Sequence, residues 1–425
     1  MDIKKLLMIL TLLGCVLSLS VEALAQDLQS SVQMTPYARI QNIRPTGELN
    51  DIDDRQVYSP KSALFSQDGR KLYVNSLEGG QTLVYSWPDL KKMKTITHVF
   101  NAQNDFLFQG QTTAFDLPFY TQSRDGNPNH FMGKPVEMAL SHDGRYLWIT
   151  YYRRNYDNFA QSPSAVAIVD TESDQIVRVI PTGPIPKFIA ISPDNQTAAI
   201  VHWGNNTVGL LDISSRDPRD FAYKGLVTIE HQLDQSTLAN TNRDATCGFC
   251  LRGAVFDSTS TYLMVARMGG GGVAGIYVPT NRYLGTVLNF PFTPRHLVLT
   301  ADQQNLVVSS NIGGYLSKIP VNKILAALIA ANGHRVMGPA PKSVFVGVGA
   351  RTVEVQHNGN LAFVAVNNNI QLVAVDLNQM IVVGRQNIDP YPVGLAISHD
   401  DQFVVVTSQG REGRGGNSVN ILRIQ

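Results

Sequence analysis

A chain of 425 residues with 35 Lys and Arg against 34 Asp and Glu carries no bulk charge to steer it toward nucleic acid or any other strongly charged partner. Charged residues make up only 16 %, and Gly, Asn, Thr and Val are plentiful. This composition suits short strands and turns and argues against long solvated helices.

The N-terminus reads as an export signal over residues 1–25. Lys4 and Lys5 form a positive start, Leu6 to Leu13 an apolar stretch, and Ala23-Leu24-Ala25 an A-x-A cleavage site, so the mature chain is expected to begin at Gln26. Leu12-Leu13-Gly14-Cys15 loosely resembles a lipobox, so a lipid anchor through Cys15 is the competing reading. No other stretch reaches the ~18 apolar residues of a membrane helix. Periplasmic or extracellular residence follows, and cleavage leaves Cys247 and Cys250 as the cysteines of the mature protein.

Residues 26–425 are built from one recurring phrase. Its clearest copy is KFIAISPDNQTAAIVHWGNNTVGLLD, Lys187 to Asp212: three short apolar runs joined by a polar turn and a Gly/Asn loop, the pattern of an antiparallel meander. Copies follow in order at Ala63–Ser76, Met138–Tyr151, the phrase itself, Ala254–Arg267, Leu297–Ser310, Val353–Val366 and Leu395–Ser408, spaced by roughly 40 to 75 residues. The seventh copy has a third strand, Ser418 to Ile424, and then the chain stops. Tyr37 to Ile43 (YARIQNI) supplies its missing fourth strand and removes the free sheet edges. The expectation is an all-β fold: a single seven-bladed β-propeller of four-stranded antiparallel blades, closed by an N-terminal strand (37–43) that completes the last blade.

In such a fold the first-to-second turns lie on one rim, the bottom, and the second-to-third and blade-to-blade loops on the other, the top. The bottom turns are short (QDG, HDG, PDN, HNG, HDD). All long insertions are expected on the top: Thr97 to Gly133, Tyr152 to Pro163, Glu230 to Cys250, Ile324 to Gly349 and Gln409 to Asn417. Long loops on one face of a rigid scaffold point to binding there.

Five residues before each bottom-turn Ser or its equivalent stand Lys61, Val136, Lys187, Arg252, Arg295, Arg351 and Val393. Five of these seven are basic, where chance would place fewer than one. Blade symmetry gathers them at the channel mouth, where like charges repel unless an anion or nearby carboxylates compensate. Arginine at three sites suits bidentate contact with carboxylate or phosphate. Loop residues Arg153, Arg154, His202, Trp203, Arg267 and Arg411 are expected to extend this rim, aromatics beside cations suiting a sugar or an aromatic anion.

Cys247-Gly248-Phe249-Cys250 has no following His for haem, no helix start to lower a thiolate, and no second cysteine pair for zinc. A local disulfide is the leading reading, with a redox or metal role as the alternative. No metal or cofactor site is expected: the histidines form no metal constellation, and neither a phosphate loop nor a hydrolase motif is present.

The pattern "SPDG…LYV…NTV…VD", matched best at Ile191 to Asp212, Leu140 to Asp170 and Ile370 to Asp376, resembles the YVTN-type repeats of bacterial surface-layer-like and lactonase-like propellers. That resemblance implies the fold but not one function, because such propellers serve binding proteins, lyases, lactonases and dehydrogenase subunits alike. The leading expectation is a monomeric, non-catalytic exported protein. Its basic mouth would take an anionic small molecule, an acidic glycan or an envelope protein. The alternatives are an enzyme using the same mouth, with His202 or His296 as base, and an adhesive protein whose contact surface is the 97–133 insertion.

Overall fold

The computed structural model describes residues 32–42, 50–233, 241–411 and 414–425. The export signal, Cys15 and Ile43 lie outside them, as does the side chain of Arg411. Among the described residues no helix is long and apolar enough to cross a membrane.

Seven antiparallel sheets surround a central axis. Their innermost strands are Pro60–Phe65, Gly133–Ser141, Pro186–Ile191, Leu251–Phe256, Pro294–Leu299, Ala350–Val355 and Pro392–Ile397. The Ser-x-Asp turns explain themselves locally. In blade one, Ser66 Oγ donates to Asp68 at 2.6 Å while Asp68 accepts from the Arg70 amide and Ser66 from the Lys71 amide. The two short side chains thereby satisfy the amides of a reversal too tight for a ladder. Ser192 with Asp194 and Ser398 with Asp400 repeat the device.

Packing lies between blades. Second and third strands are buried on both faces, so they read as unbroken apolar runs such as Ala198–Val201 and Val373–Val375. One cluster joins Val201, Leu210 and Val208 of blade three to Phe256, Leu263 and Val265 of blade four. Another joins Leu72, Val74 and Leu83 of blade one to Val405, Val419 and Ile421 of blade seven, across the point where the ring closes. Closure uses Met34–Gln41, antiparallel to the last strand with Met34 opposite Ile424 and Gln41 opposite Ser418. The closing strand therefore starts three residues earlier than the expected Tyr37. A parallel strand, Asn50–Asp53, covers its outer edge.

One insertion departs from expectation. Residues 321–341 leave from the bottom of blade five, between its third strand Tyr315–Pro320 and its fourth Lys342–Phe345, not from the top rim. They open with helix Val321–Ala331, whose Ile324, Leu328 and Ala331 fall one turn apart and pack on the outer strands of blades four and five. The chain then adds Arg335–Val336 parallel to blade four before resuming blade five. The 97–133 insertion does lie on top, but it is anchored. Phe100, Leu107, Phe108 and Phe131 are buried against Tyr151 between blades one and two.

Candidate functional site

Every innermost strand has a register shift at its upper end: between Pro60 and Ala63, Pro135 and Met138, Pro186 and Phe188, Leu251 and Ala254, Pro294 and His296, Ala350 and Val353, and Pro392 and Gly394. A bulge of this kind re-aims a side chain away from the ladder. Here it falls each time on the position that carries Lys61, Val136, Lys187, Arg252, Arg295, Arg351 or Val393. Below it the strands crowd the axis: a Cβ on Gly253 would lie 2.8 Å from His296 Cα, and one on Gly394 2.5 Å from the Lys61 carbonyl oxygen.

The result is a cavity of about 450 Å³ at the top of the channel, lined by Lys61, Lys187, Arg252, Arg295 and Arg351 together with Trp203, Tyr152 and Tyr391. Among the described residues the carboxylates in its wall are Glu78, which pairs with Lys134 at 2.6 Å, and Asp244.

The five cations are held differently. Lys187 sits 4.1 Å from the Trp203 ring and 5.1 Å from that of Tyr152, and forms an ion pair with Asp244. Burial pushes it down to about 8 against the pull of Asp244. Burial alone would raise Asp244, but the Lys187 charge, its hydrogen bond and that of Tyr152 outweigh this and hold the carboxyl below its usual range. Near neutral pH both partners are therefore charged. Arg252 donates to Glu137 Oε1 at 2.7 Å and to the Lys187 carbonyl at 2.6 Å. Arg351 completes this wall beside Asn367.

Lys61 and Arg295 have no carboxylate partner among the described residues. Burial, then the charges of Arg252, Arg295 and Arg351, push Lys61 well below its ordinary value. Arg295 reaches only Met268 Sδ, at 3.6 Å, and burial with Arg252 and Arg351 depresses it likewise. Among buried side chains such repulsion is costly, and an anion would relieve it.

Beneath lies a second cavity of about 240 Å³, lined by Glu137, His296, Thr352 and Glu354 and reaching His357 and His399 at the bottom. Burial, then the neighbouring Glu137, raises Glu354 to about 8. The channel thus has a basic upper layer and an acidic lower one.

The expected loop residues mostly stay out of the mouth. Trp203 joins it, its indole donating to the Asp244 carbonyl at 3.2 Å. Arg153 donates to the Asp157 carbonyl at 2.9 Å, outside the cavity. Arg154 is fully buried, bonded to the Pro128 carbonyl and facing the rings of Phe119 and Phe131, which ties the 97–133 insertion to blade two. Arg267 is also fully buried, paired with Glu230 and 3.9 Å from the Phe249 ring. His202 is sealed inside blade three between Thr207 Oγ1, at 2.8 Å, and the Gly183 amide, at 3.1 Å, and burial lowers it to about 3. His296 is lowered to about 3 by the same cause, with Arg252 and Arg295 adding to it. Neither has the near-neutral basicity of a general base.

Cys247 and Cys250 are joined in a disulfide. Cys247 packs with Trp203 and Ile185, and Cys250 precedes the strand that carries Arg252, so the bridge braces the wall of the mouth. Among the described residues no group of three or more His, Cys, Asp or Glu side chains is placed to hold a metal ion.

Sequence reasoning missed Asp244, Glu137 and Glu354. Asp244 lies in a loop with no repeat to index it. Glu137 follows the ring position directly, and Glu354 occupies a column otherwise filled by Leu64, Ala139, Ala190, Val255, Val298 and Ala396, an outlier visible in the repeats.

These features define a seven-bladed β-propeller with a cationic channel mouth. No family model matches the chain, and no curated protein matches it in sequence. Among solved structures it is similar to the Cps50 (Swd1) β-propeller domain of Myceliophteria thermophila, with a TM-score of 0.61 at 11 % identity over 92 % of this chain and 100 % of that one. It is also similar to the hydrazine synthase of Kuenenia stuttgartiensis, with a TM-score of 0.57 at 13 % identity over 86 % of this chain and 95 % of that one. At such identities the likeness is one of fold.

Proposed function

We propose that this protein is an exported, non-catalytic binding propeller of the YVTN-repeat kind that holds a carboxylate- or phosphate-bearing ligand in its upper cavity. The observation that carries the reading is the cationic excess. Five basic side chains from five blades line one cavity, and among the described residues Lys61 and Arg295 form no ion pair with a carboxylate. A fold gains nothing by crowding buried cations; a ligand that neutralises them does. An anion driven deeper leaves the basic layer and meets the carboxylate of Glu137, which opposes it. The disulfide and the A-x-A signal support an oxidising compartment outside the cytoplasm.

The experiment replaces Lys61 and Arg295 by Gln. These two are chosen because their loss strands no partner carboxylate. Citrate and an oligogalacturonate are titrated calorimetrically against both proteins at low salt. A loss of tenfold or more in affinity for at least one probe is expected. Wild-type protein that ignores both, or a variant that binds as well as wild type, would sink the reading.

A further inference from the structure

Beside the mouth, the top of blade five presents an apolar surface that the fold does not cover. Phe292 is 79 % exposed, Met337 73 %, Ile312 63 % and Phe345 51 %, with Val348 and Tyr315 also exposed. All but Met337 come from three chain segments that meet on one turn; Met337 lies on a fourth, at the edge of blade four. The Ile312 amide donates to Thr293 Oγ1 at 2.6 Å, the Gly313 amide to the Phe292 carbonyl at 3.2 Å, and the Gly349 amide to the Asn311 carbonyl at 2.8 Å. The rings of Phe345 and Tyr315 lie 5.4 Å apart. Met337 joins through Gly338, whose carbonyl accepts from Asn289 at 3.0 Å. Exposed apolar side chains scattered singly need no explanation, but a contiguous group does.

Two features say what covers it. The first is continuity with the cationic cavity. Phe292 stands three residues before Arg295, and Val348 three before Arg351, so at no more than about 3.6 Å per residue the patch begins within roughly 11 Å of both. The second is charge. Residues 288–293, 311–316 and 343–350 contain no Asp or Glu, so an acidic partner meets no repulsion on this approach.

We infer that the mouth and the rim of blade five form one docking surface for an acidic segment of a partner protein. A carboxylate of that segment enters the cavity, and its flanking apolar side chains lie on Phe292, Ile312 and Phe345. The inference rests on the anion-binding reading of the mouth and names its ligand class. The ring then anchors the segment and sets its register, and the apolar contact adds affinity and selectivity.

The test uses two short acidic peptides, one with an Asp-Glu pair flanked by Leu and Phe, the other with the same pair flanked by Ser. Both are titrated against wild type, a rim variant (Phe292→Ser, Ile312→Ser, Phe345→Ser, all exposed sites) and the mouth variant (Lys61→Gln, Arg295→Gln). The wild type binds the Leu/Phe peptide at least tenfold more tightly, about 1.4 kcal/mol. The rim variant loses that preference but keeps its affinity for the Ser peptide, and the mouth variant loses both. Equal binding of the two peptides by wild type, or a preference that survives in the rim variant, overturns the docking inference while leaving the anion site standing. Failure of both peptides to bind wild type that still binds citrate overturns the docking inference alone, and failure of citrate as well removes the anion site with it. Sedimentation supplies a further check: a concentration-dependent dimer abolished in the rim variant assigns the patch to a second copy and overturns the proposal.

Discussion

Glu137→Gln is the sharpest probe of how the mouth is balanced. Glu137 accepts from Arg252 at 2.7 Å, and the Arg252 side chain is only 5 % exposed. Removing the carboxylate leaves a buried guanidinium among Lys61, Arg295 and Arg351. Breaking one side of a buried pair costs about 3–5 kcal/mol. Arg252 keeps its bond to the Lys187 carbonyl, and Gln still accepts a hydrogen bond, so about 3 kcal/mol is the expected loss. With about 2.1 cal/mol/K of unfolding entropy per residue, a 425-residue chain unfolds with roughly 0.9 kcal/mol/K, and Tm falls by about 3 °C. The informative part is the rescue. An anion that fills the mouth meets one more uncompensated cation in the variant and binds it more tightly. Both proteins gain from the ligand, so the gap narrows by the ratio of their dissociation constants: a variant that binds tenfold more tightly recovers about 1.4 kcal/mol of it. Thermal melts at low salt, with citrate and with chloride at matched ionic strength, measure this; chloride separates screening from site binding. A Tm difference that citrate leaves unchanged, or weaker citrate binding by the variant, would refute the view of the mouth as an anion site under cationic strain.

Two further outcomes concern the channel and its histidines. Glu354, raised to about 8 against an ordinary value near 4.5, is protonated in the fold where the unfolded chain is ionised. Stability from this group is complete below pH 4.5 and is lost as pH rises through 8. Glu354→Gln should flatten that decline in urea midpoints between pH 5 and 8, and an unchanged slope would contradict the placement. His202, lowered to about 3, behaves oppositely: below pH 6.5 the unfolded chain binds a proton that the fold refuses, so stability falls with acidity. His202→Ala should reduce that acid loss and cost about 2 kcal/mol through the Thr207 and Gly183 contacts. Its citrate affinity should stay within twofold of wild type; a mouth that loses citrate with His202 would restore it to the site.

What could be read in advance depended on whether a residue had a register. The innermost strand repeats seven times, and so does its bulge, so counting back from the turn Ser located the same point in space in every blade. That is why Lys61, Lys187, Arg252, Arg295 and Arg351 were legible as a ring. The loop cations had no such index. Arg267 and Arg295 are the same residue near the top of neighbouring blades. Yet Arg267 ends a second strand, where its side chain points into the inter-blade core and is met by Glu230 from a loop and by Phe249. Arg154 closes a second strand too, and meets the 97–133 insertion in the same way. The helix at 321–331 follows the same logic. No repeat marks the fourth strand of blade five, so the sequence does not show on which side of that strand the insertion leaves. Position on a repeated strand carries geometry; position in a loop carries only composition. Functional assignments drawn from composition, such as a second-strand arginine or a His-Trp pair, therefore have to compete with the packing needs of the blade. Arg154, Arg267 and His202 are taken up by the packing of the blades, whereas at the bulged ring position the chain turns its side chain out of the ladder seven times over.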